Sequence, residues 1–174
     1  TLDCGITATK EIERANEHGI ETIVVDHHRC PPALPDAFAT LNPQQEDCHY
    51  PDKGLAAVGV CFNLVVGVRK ELRDRGYFEH RPQPDVREYL DLVALGTIAD
   101  MVPLMHVNRT LAWHGLQQLN RTRRVGLRAL MEVSKTRYGR CSSSDVGFRL
   151  GPRINAAGRL DNASIGVQLL LSKE

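Results

Sequence analysis

The chain has 174 residues, of which 42% are hydrophobic and 25% charged, with a formal net charge of +1. That bounds it to one domain or a little more with enough apolar material for a core, and no apolar run approaches the ~20 residues of a membrane span, so no membrane association is expected. Residues 1–100 hold ten Lys/Arg against seventeen Asp/Glu, whereas residues 101–174 hold twelve against four, a first part suited to metal cations and a second suited to a polyanion such as nucleic acid.

Leu2-Asp3-Cys4-Gly5 reads as the end of a strand, and Leu169-Leu170-Leu171 as a helix without a cap, so a piece of a longer protein is expected. Thr7 is the expected N-cap of a helix over residues 8–18, which Gly19 closes. A strand over residues 21–25 follows, completing a β-α-β unit with parallel neighbouring strands and a right-handed crossover. That unit brings Asp3 to the same sheet edge as Asp26 and His27. The strand itself, Ile23-Val24-Val25, runs straight into Asp26-His27-His28. An apolar strand that ends in polar residues reads as a buried parallel strand opening into a site, because ligands of open α/β sheets bind beyond the carboxyl ends of strands. Imidazole and carboxylate together suit Mn²⁺, Zn²⁺ or Fe²⁺, and carboxylates alone suit Mg²⁺.

Three prolines between Arg29 and Pro35 make a loop at the rim of that site. A short strand is expected over residues 38–43. A long helix is expected over residues 54–75, with Leu55, Val58, Phe62, Val65 and Leu72 on one face and small residues at its start. Pro82 and Pro84 break the chain, and a helix starting near Asp85 runs through Leu95 into Gly96-Thr97-Ile98-Ala99-Asp100. Asp100 reads as a buried acid in an apolar stretch, and such a group needs a donor, a cation or a metal.

Helices are expected over residues 108–120, with Leu111, Trp113, Leu116 and Leu119 on the apolar face, and over 125–134. Ser142-Ser143-Ser144-Asp145 is a capping signal for a helix that carries Phe148, Leu150 and Ile154. It continues into Gly151-Pro152-Arg153-Ile154-Asn155-Ala156-Ala157-Gly158-Arg159-Leu160. Arginines and an asparagine among small residues let a bulky anion approach the backbone, and arginine is a bidentate phosphate ligand. A last helix begins at Asn162-Ala163-Ser164. The fold class expected from this order is α/β, a parallel sheet flanked by helices, becoming mostly helical toward the C-terminus. Five scattered cysteines without a CxxC pair predict reduced thiols and a cytoplasmic protein.

Asp26-His27-His28 matches the motif that names the DHH phosphoesterases. Asp3 in Leu2-Asp3-Cys4-Gly5-Ile6 is similar to that family's second motif, and Asp100 in Gly96-Thr97-Ile98-Ala99-Asp100 to its fourth. Gly151 through Leu160 is similar to a signature of the family's single-strand-specific exonuclease branch. The chain thus resembles the DHH phosphoesterases over essentially its whole length. The resemblance implies a partial DHH domain over residues 1–140 and the beginning of a helical connector over 141–174. The family's Asp-x-Asp motif lies ahead of the position of Asp3, and its second catalytic-core domain lies beyond Glu174. The 174 residues alone are therefore expected to lack at least two metal ligands and to show little activity.

The implied chemistry is phosphodiester hydrolysis with Mn²⁺ or Mg²⁺, two ions in the full-length protein. Asp3, His27 and Asp100 would be metal ligands. His28 would face the scissile phosphate, and Asp26 would orient the histidine pair. Arg153, Asn155 and Arg159 would contact the DNA backbone. The implied activity is a 5′→3′ exonuclease on single-stranded DNA, releasing mononucleotides in repair and recombination. A single-strand-binding protein and a helicase are the implied partners. The alternatives are an oligonucleotide or cyclic-dinucleotide phosphodiesterase and an inactive replication scaffold.

Overall fold

The computed structural model of the protein describes residues 1–160 and 162–173, with the side chains of Arg159 and Leu160 outside the described part. The chain divides into two compact units, one formed by Thr1–Val86 with Met105–Asn108, the other by Arg87–Leu104 with the residues from Arg109 onward.

In the first unit, helix α1 covers Thr9–Glu17, with Ile12 buried. Its N-cap is Ala8, which makes no side-chain cap bond, so the expectation of Thr7 as cap is corrected. Thr7 instead sits inside a turn closed by the Ala8 N–H on the Gly5 carbonyl at 3.0 Å. Gly19 ends the helix at φ +69°, a conformation that glycine adopts without strain. Strand β1, Ile23–Val25, pairs in parallel with β2, Ala39–Leu41, in the register Ile23 with Ala39 and Val25 with Leu41. Leu2 forms a parallel bridge to Val25. β1 therefore lies between the N-terminal segment and β2, with Val24 and Val25 buried. Both strands are shorter than the expected spans.

Helix α2 covers Ala57–Asp74, and its buried residues are Ala57, Gly59 and Val60. Only its beginning is buried, and Val65, expected on the apolar face, is exposed. The small residues allow that close approach. Asn108 clamps the helix start, accepting from the Ala56 N–H at 3.2 Å and donating to the Gly54 carbonyl at 2.6 Å.

The second unit is helical. A 3₁₀ turn, Val86–Tyr89, leads into α3, Leu90–Ala99. Helix α3 is apolar on nearly every side and continues through Gly96–Ala99, further than expected. Asp100 follows as its C-cap, with its N–H on the Gly96 carbonyl. The residue is exposed, which corrects the expectation of a buried acid. The apolar helix ends at this residue, so Asp100 lies at its exposed end.

Helix α4 covers His106–Leu119. Trp113 is 64% exposed, not on the apolar face. Gly115 decides this, because a Cβ there would lie 2.3 Å from the Leu90 carbonyl. That close approach puts Ala112, Gly115 and Leu119 on the buried line and swings Trp113 away. Helices α5 (Val125–Val133), α6 (Ser143–Asp145), α7 (Gly151–Leu160) and α8 (Ser164–Leu171) follow, with a π turn, Val146–Leu150, between α6 and α7. The expected capping signal is present: Ser142 Oγ accepts from the Asp145 N–H at 3.2 Å, and Asp145 Oδ2 accepts from the Ser142 N–H at 3.0 Å. Leu95, Ile98, Leu119, Leu127, Val146 and Leu150 form the centre of this unit's core. Among the described residues, no helix is long and apolar enough to cross a membrane.

Candidate metal centre

The site begins where β1 ends. Asp26 is 1% exposed and its N–H donates to the Leu41 carbonyl at 3.0 Å. Its Oδ1 accepts from the His27 N–H at 2.8 Å, the His28 N–H at 3.2 Å and the His28 ring Nδ1 at 2.7 Å. Its Oδ2 accepts from the Ile6 N–H at 3.0 Å. Burial pushes the carboxyl pKa up, but the bonds from the His28 ring and from the Ile6, His28 and His27 amides outweigh it and hold the group below the usual range. Asp26 is thus a carboxylate at neutral pH and can only accept. The proton in its bond to His28 must reside on Nδ1, so the neutral ring keeps a lone pair on Nε2.

Asp3 reaches the same place from the adjoining segment. Its N–H donates to the Val25 carbonyl at 2.9 Å, and its backbone is left-handed, φ +61°. Aspartate tolerates that conformation better than most residues. Gly5 follows at φ +114°, where a Cβ would lie 2.4 Å from Thr1 Oγ1. Only glycine fits this turn, which in turn delivers the Ile6 N–H to Asp26. Asp3 Oδ1 lies 3.2 Å from His27 Nε2.

Asp3, His27 and His28 each offer one ligand atom, and these atoms all lie within 4.8 Å of one another. A carboxylate oxygen with two imidazole nitrogens, at the open end of a parallel sheet, fits a divalent transition metal such as Mn²⁺.

Sequence reasoning did not single out Asn42 and Gln44. Asn42 is 3% exposed and follows Leu41 just as Asp26 follows Val25. Its Nδ2 donates to the His28 carbonyl at 2.9 Å, and Gln44 Nε2 donates to the His27 carbonyl at 2.8 Å. The two amides therefore fix the backbone of the histidine pair. The available signal was a polar residue ending the next apolar strand, Leu41-Asn42-Pro43.

Asp100, Arg153 and Asn155 belong to the second unit. All three are exposed. Arg153 Nη1 donates to the Arg149 carbonyl at 2.9 Å. The Arg159 side chain lies outside the described residues.

Residues 1–97 match the model of the DHH family, N-terminal domain. The chain is 49% identical over 174 residues to the Single-stranded-DNA-specific exonuclease RecJ of Salmonella typhimurium, covering 98% of this chain and 30% of that protein. The crystal structure of RecJ in complex with Mn²⁺ from Thermus thermophilus superposes with a TM-score of 0.81 at 37% identity, over 100% of this chain and 24% of that one. The Mg²⁺ complex from the same source gives 0.69 at 33% identity, over 100% of this chain and 22% of that one. The chain thus spans less than a third of the length of these relatives.

Proposed function

The chain belongs to the DHH family, and on that premise we propose that it supplies part of the catalytic region of a metal-dependent exonuclease. The substrate is single-stranded DNA, degraded 5′→3′ to mononucleotides in repair and recombination. The observation that carries this reading is the convergence of Asp3, His27 and His28, backed by buried Asp26, at one sheet end. Relatives of that name, alike along almost the whole chain, support the polymeric substrate.

When bound, a divalent ion neutralises charge on the phosphate and lowers the pKa of an attacking water. Asp3 and His27 would hold it at the end of β1, and Asp100 is a further candidate ligand by resemblance to the family. Mn²⁺ suits this mixed donor set, with Mg²⁺ as substitute. Asp26 retains the Nδ1 proton of His28 and so turns Nε2 toward the scissile phosphate, to which the ring would donate a hydrogen bond once Nε2 is protonated. Asn42 and Gln44 keep both histidines at fixed height by holding their carbonyls. Arg153, Asn155 and Arg159 contact the DNA backbone without base preference. The free cysteines fit a cytoplasmic setting, in which a single-strand-binding protein and a helicase supply and expose the substrate.

The test is Mn²⁺-dependent release of mononucleotides from long single strands by the parent polypeptide, with and without Asp3→Asn. The expected loss is at least about 100-fold, the upper end of what the loss of a group behind a metal ligand already costs. Cleavage of dinucleotides but not of long strands would favour the oligonucleotide phosphodiesterase instead. No hydrolysis of either would favour a scaffold. An Asp3→Asn variant as active as its parent overturns the metal assignment.

A further inference from the structure

We propose that the second unit carries a single-stranded nucleic-acid surface of its own, built from the two loops 120–124 and 135–141, and distinct from the Arg153, Asn155 and Arg159 contacts. The inference rests on the reading of the chain as part of a nuclease.

The two loops are tied together by specific bonds. Asn120 donates to the Cys141 carbonyl at 2.9 Å and accepts from the Cys141 N–H at 2.6 Å. The Tyr138 hydroxyl donates to the Thr122 carbonyl at 3.3 Å. Thr122 is buried with its hydroxyl on Asp91. Its neighbours Arg121 and Arg123 are exposed, as are Lys135, Arg137 and Arg140 across the junction. Arg124 is different: its Nε donates to buried Asp91 at 3.1 Å, so its charge is matched inside. The nearby carboxylate of Asp145 is already engaged by the Ser142 amide and hydroxyl and lies 3.5 Å from Arg149. The loops therefore present five exposed cations, with Glu132 an exposed acid in the last turn of α5 ahead of Lys135. A surface of this kind repels itself unless a polyanion meets it.

Beside the loops is a groove of about 510 Å³, lined by Val125, Arg128, Met131, Glu132, Thr136 and Tyr138. The Arg128 guanidinium stands 5.3 Å above the Tyr138 ring, which is 48% exposed. An exposed aromatic ring at the mouth of an apolar-walled groove, flanked by cations, is the stacking-platform-plus-charge arrangement that holds single strands. A duplex offers no free base face to Tyr138, so the platform selects a single strand. Phosphates run over Arg121, Arg123, Arg137 and Arg140 while a base enters against Tyr138.

The experiment measures binding of the full chain to a fluorescent oligo-dT 30-mer by anisotropy, in EDTA, from low to moderate salt. Arg121→Ala/Arg123→Ala/Arg137→Ala/Arg140→Ala is expected to reduce the slope of log K against log salt by about 3, from four lost phosphate contacts. Tyr138→Ala is expected to weaken binding about tenfold, and Tyr138→Phe, which keeps the ring, to restore it. The charge-matched control Arg69→Ala/Lys70→Ala/Arg73→Ala/Arg75→Ala removes cations from α2 and is expected to leave the slope unchanged. Absence of binding by the parent chain, an unchanged slope in the first variant, or an equal loss in the control overturns the proposal. Equal sensitivity of Tyr138→Ala and Tyr138→Phe overturns the stacking element. None of these results bears on metal-dependent hydrolysis by the parent polypeptide, so the two readings fail separately.

Discussion

His28 Nδ1 lies 2.7 Å from Oδ1 of Asp26, and the pair spans the boundary between core and solvent: the Asp26 side chain is 1% exposed, the imidazole 59%. A buried carboxylate thereby sets the tautomer of an exposed ring. The same oxygen also accepts two backbone amides, so the His-His turn is built around one anion. Asp26→Asn replaces an acceptor with a donor facing amide and ring N–H groups. Loss of about 2–3 kcal/mol of stability is expected from the broken charged hydrogen bonds. Mn²⁺ affinity is expected to fall roughly 10–100-fold, because Asp26 also holds the backbone of the ligand His27. Urea unfolding and Mn²⁺ titration check both.

Asp3 separates stability from function in the opposite way. Its side chain is 58% exposed and its φ is +61°, a backbone glycine adopts more easily. Asp3→Gly is expected to leave stability equal or raised by up to about 1 kcal/mol. Mn²⁺ binding is expected to be lost. A melting temperature that falls together with the metal affinity would show that Asp3 is there for the fold.

Two helical glycines predict opposite signs for one substitution. A Cβ on Gly126 would lie 1.7 Å from the Leu169 carbonyl, whereas Gly67 has nothing within 4 Å. Gly126→Ala is expected to cost about 3 kcal/mol by forcing α8 off α5. Gly67→Ala is expected to add about 1 kcal/mol from helix propensity alone. Chemical denaturation of both variants distinguishes them.

Cys141 makes the stability of the protein fall at alkaline pH. Burial first, and then the Asp145 carboxylate, push its thiol up from 9.0 to about 11. The fold therefore favours the protonated thiol. The contribution is complete below about pH 9 and declines as pH rises from there through about 11. Comparing urea midpoints at about pH 8 and about pH 10.5, on either side of the ordinary thiol pKa, isolates it: the drop is expected to be smaller in Cys141→Ala. Exposed Cys4 should react with iodoacetamide at mildly alkaline pH well before buried Cys141 does.

Much of the local structure was legible from neighbours in the chain. Ile23-Val24-Val25 before Asp26-His27-His28 announced a strand opening into a site, and the β-α-β spacing brought Asp3 to the same edge. Gly19 marked a helix end, and Ser142 with Asp145 a helix start. These signals are carried by residues within one turn or one strand of each other, so no further packing is needed to read them. Other features depended on what comes from far away. Trp113 is exposed because Gly115 must meet the Leu90 carbonyl. Asp100 is exposed because the apolar helix before it runs on through Ala99 and ends there. Asn42 and Gln44 reach the histidine carbonyls only because β2 pairs with β1 in the register Val25 with Leu41. Residue type and local order by themselves determined which groups carry the chemistry. The tertiary structure alone decided which donors hold them, because a buried carbonyl or carboxylate takes whatever partner the strand register and the helix approach deliver.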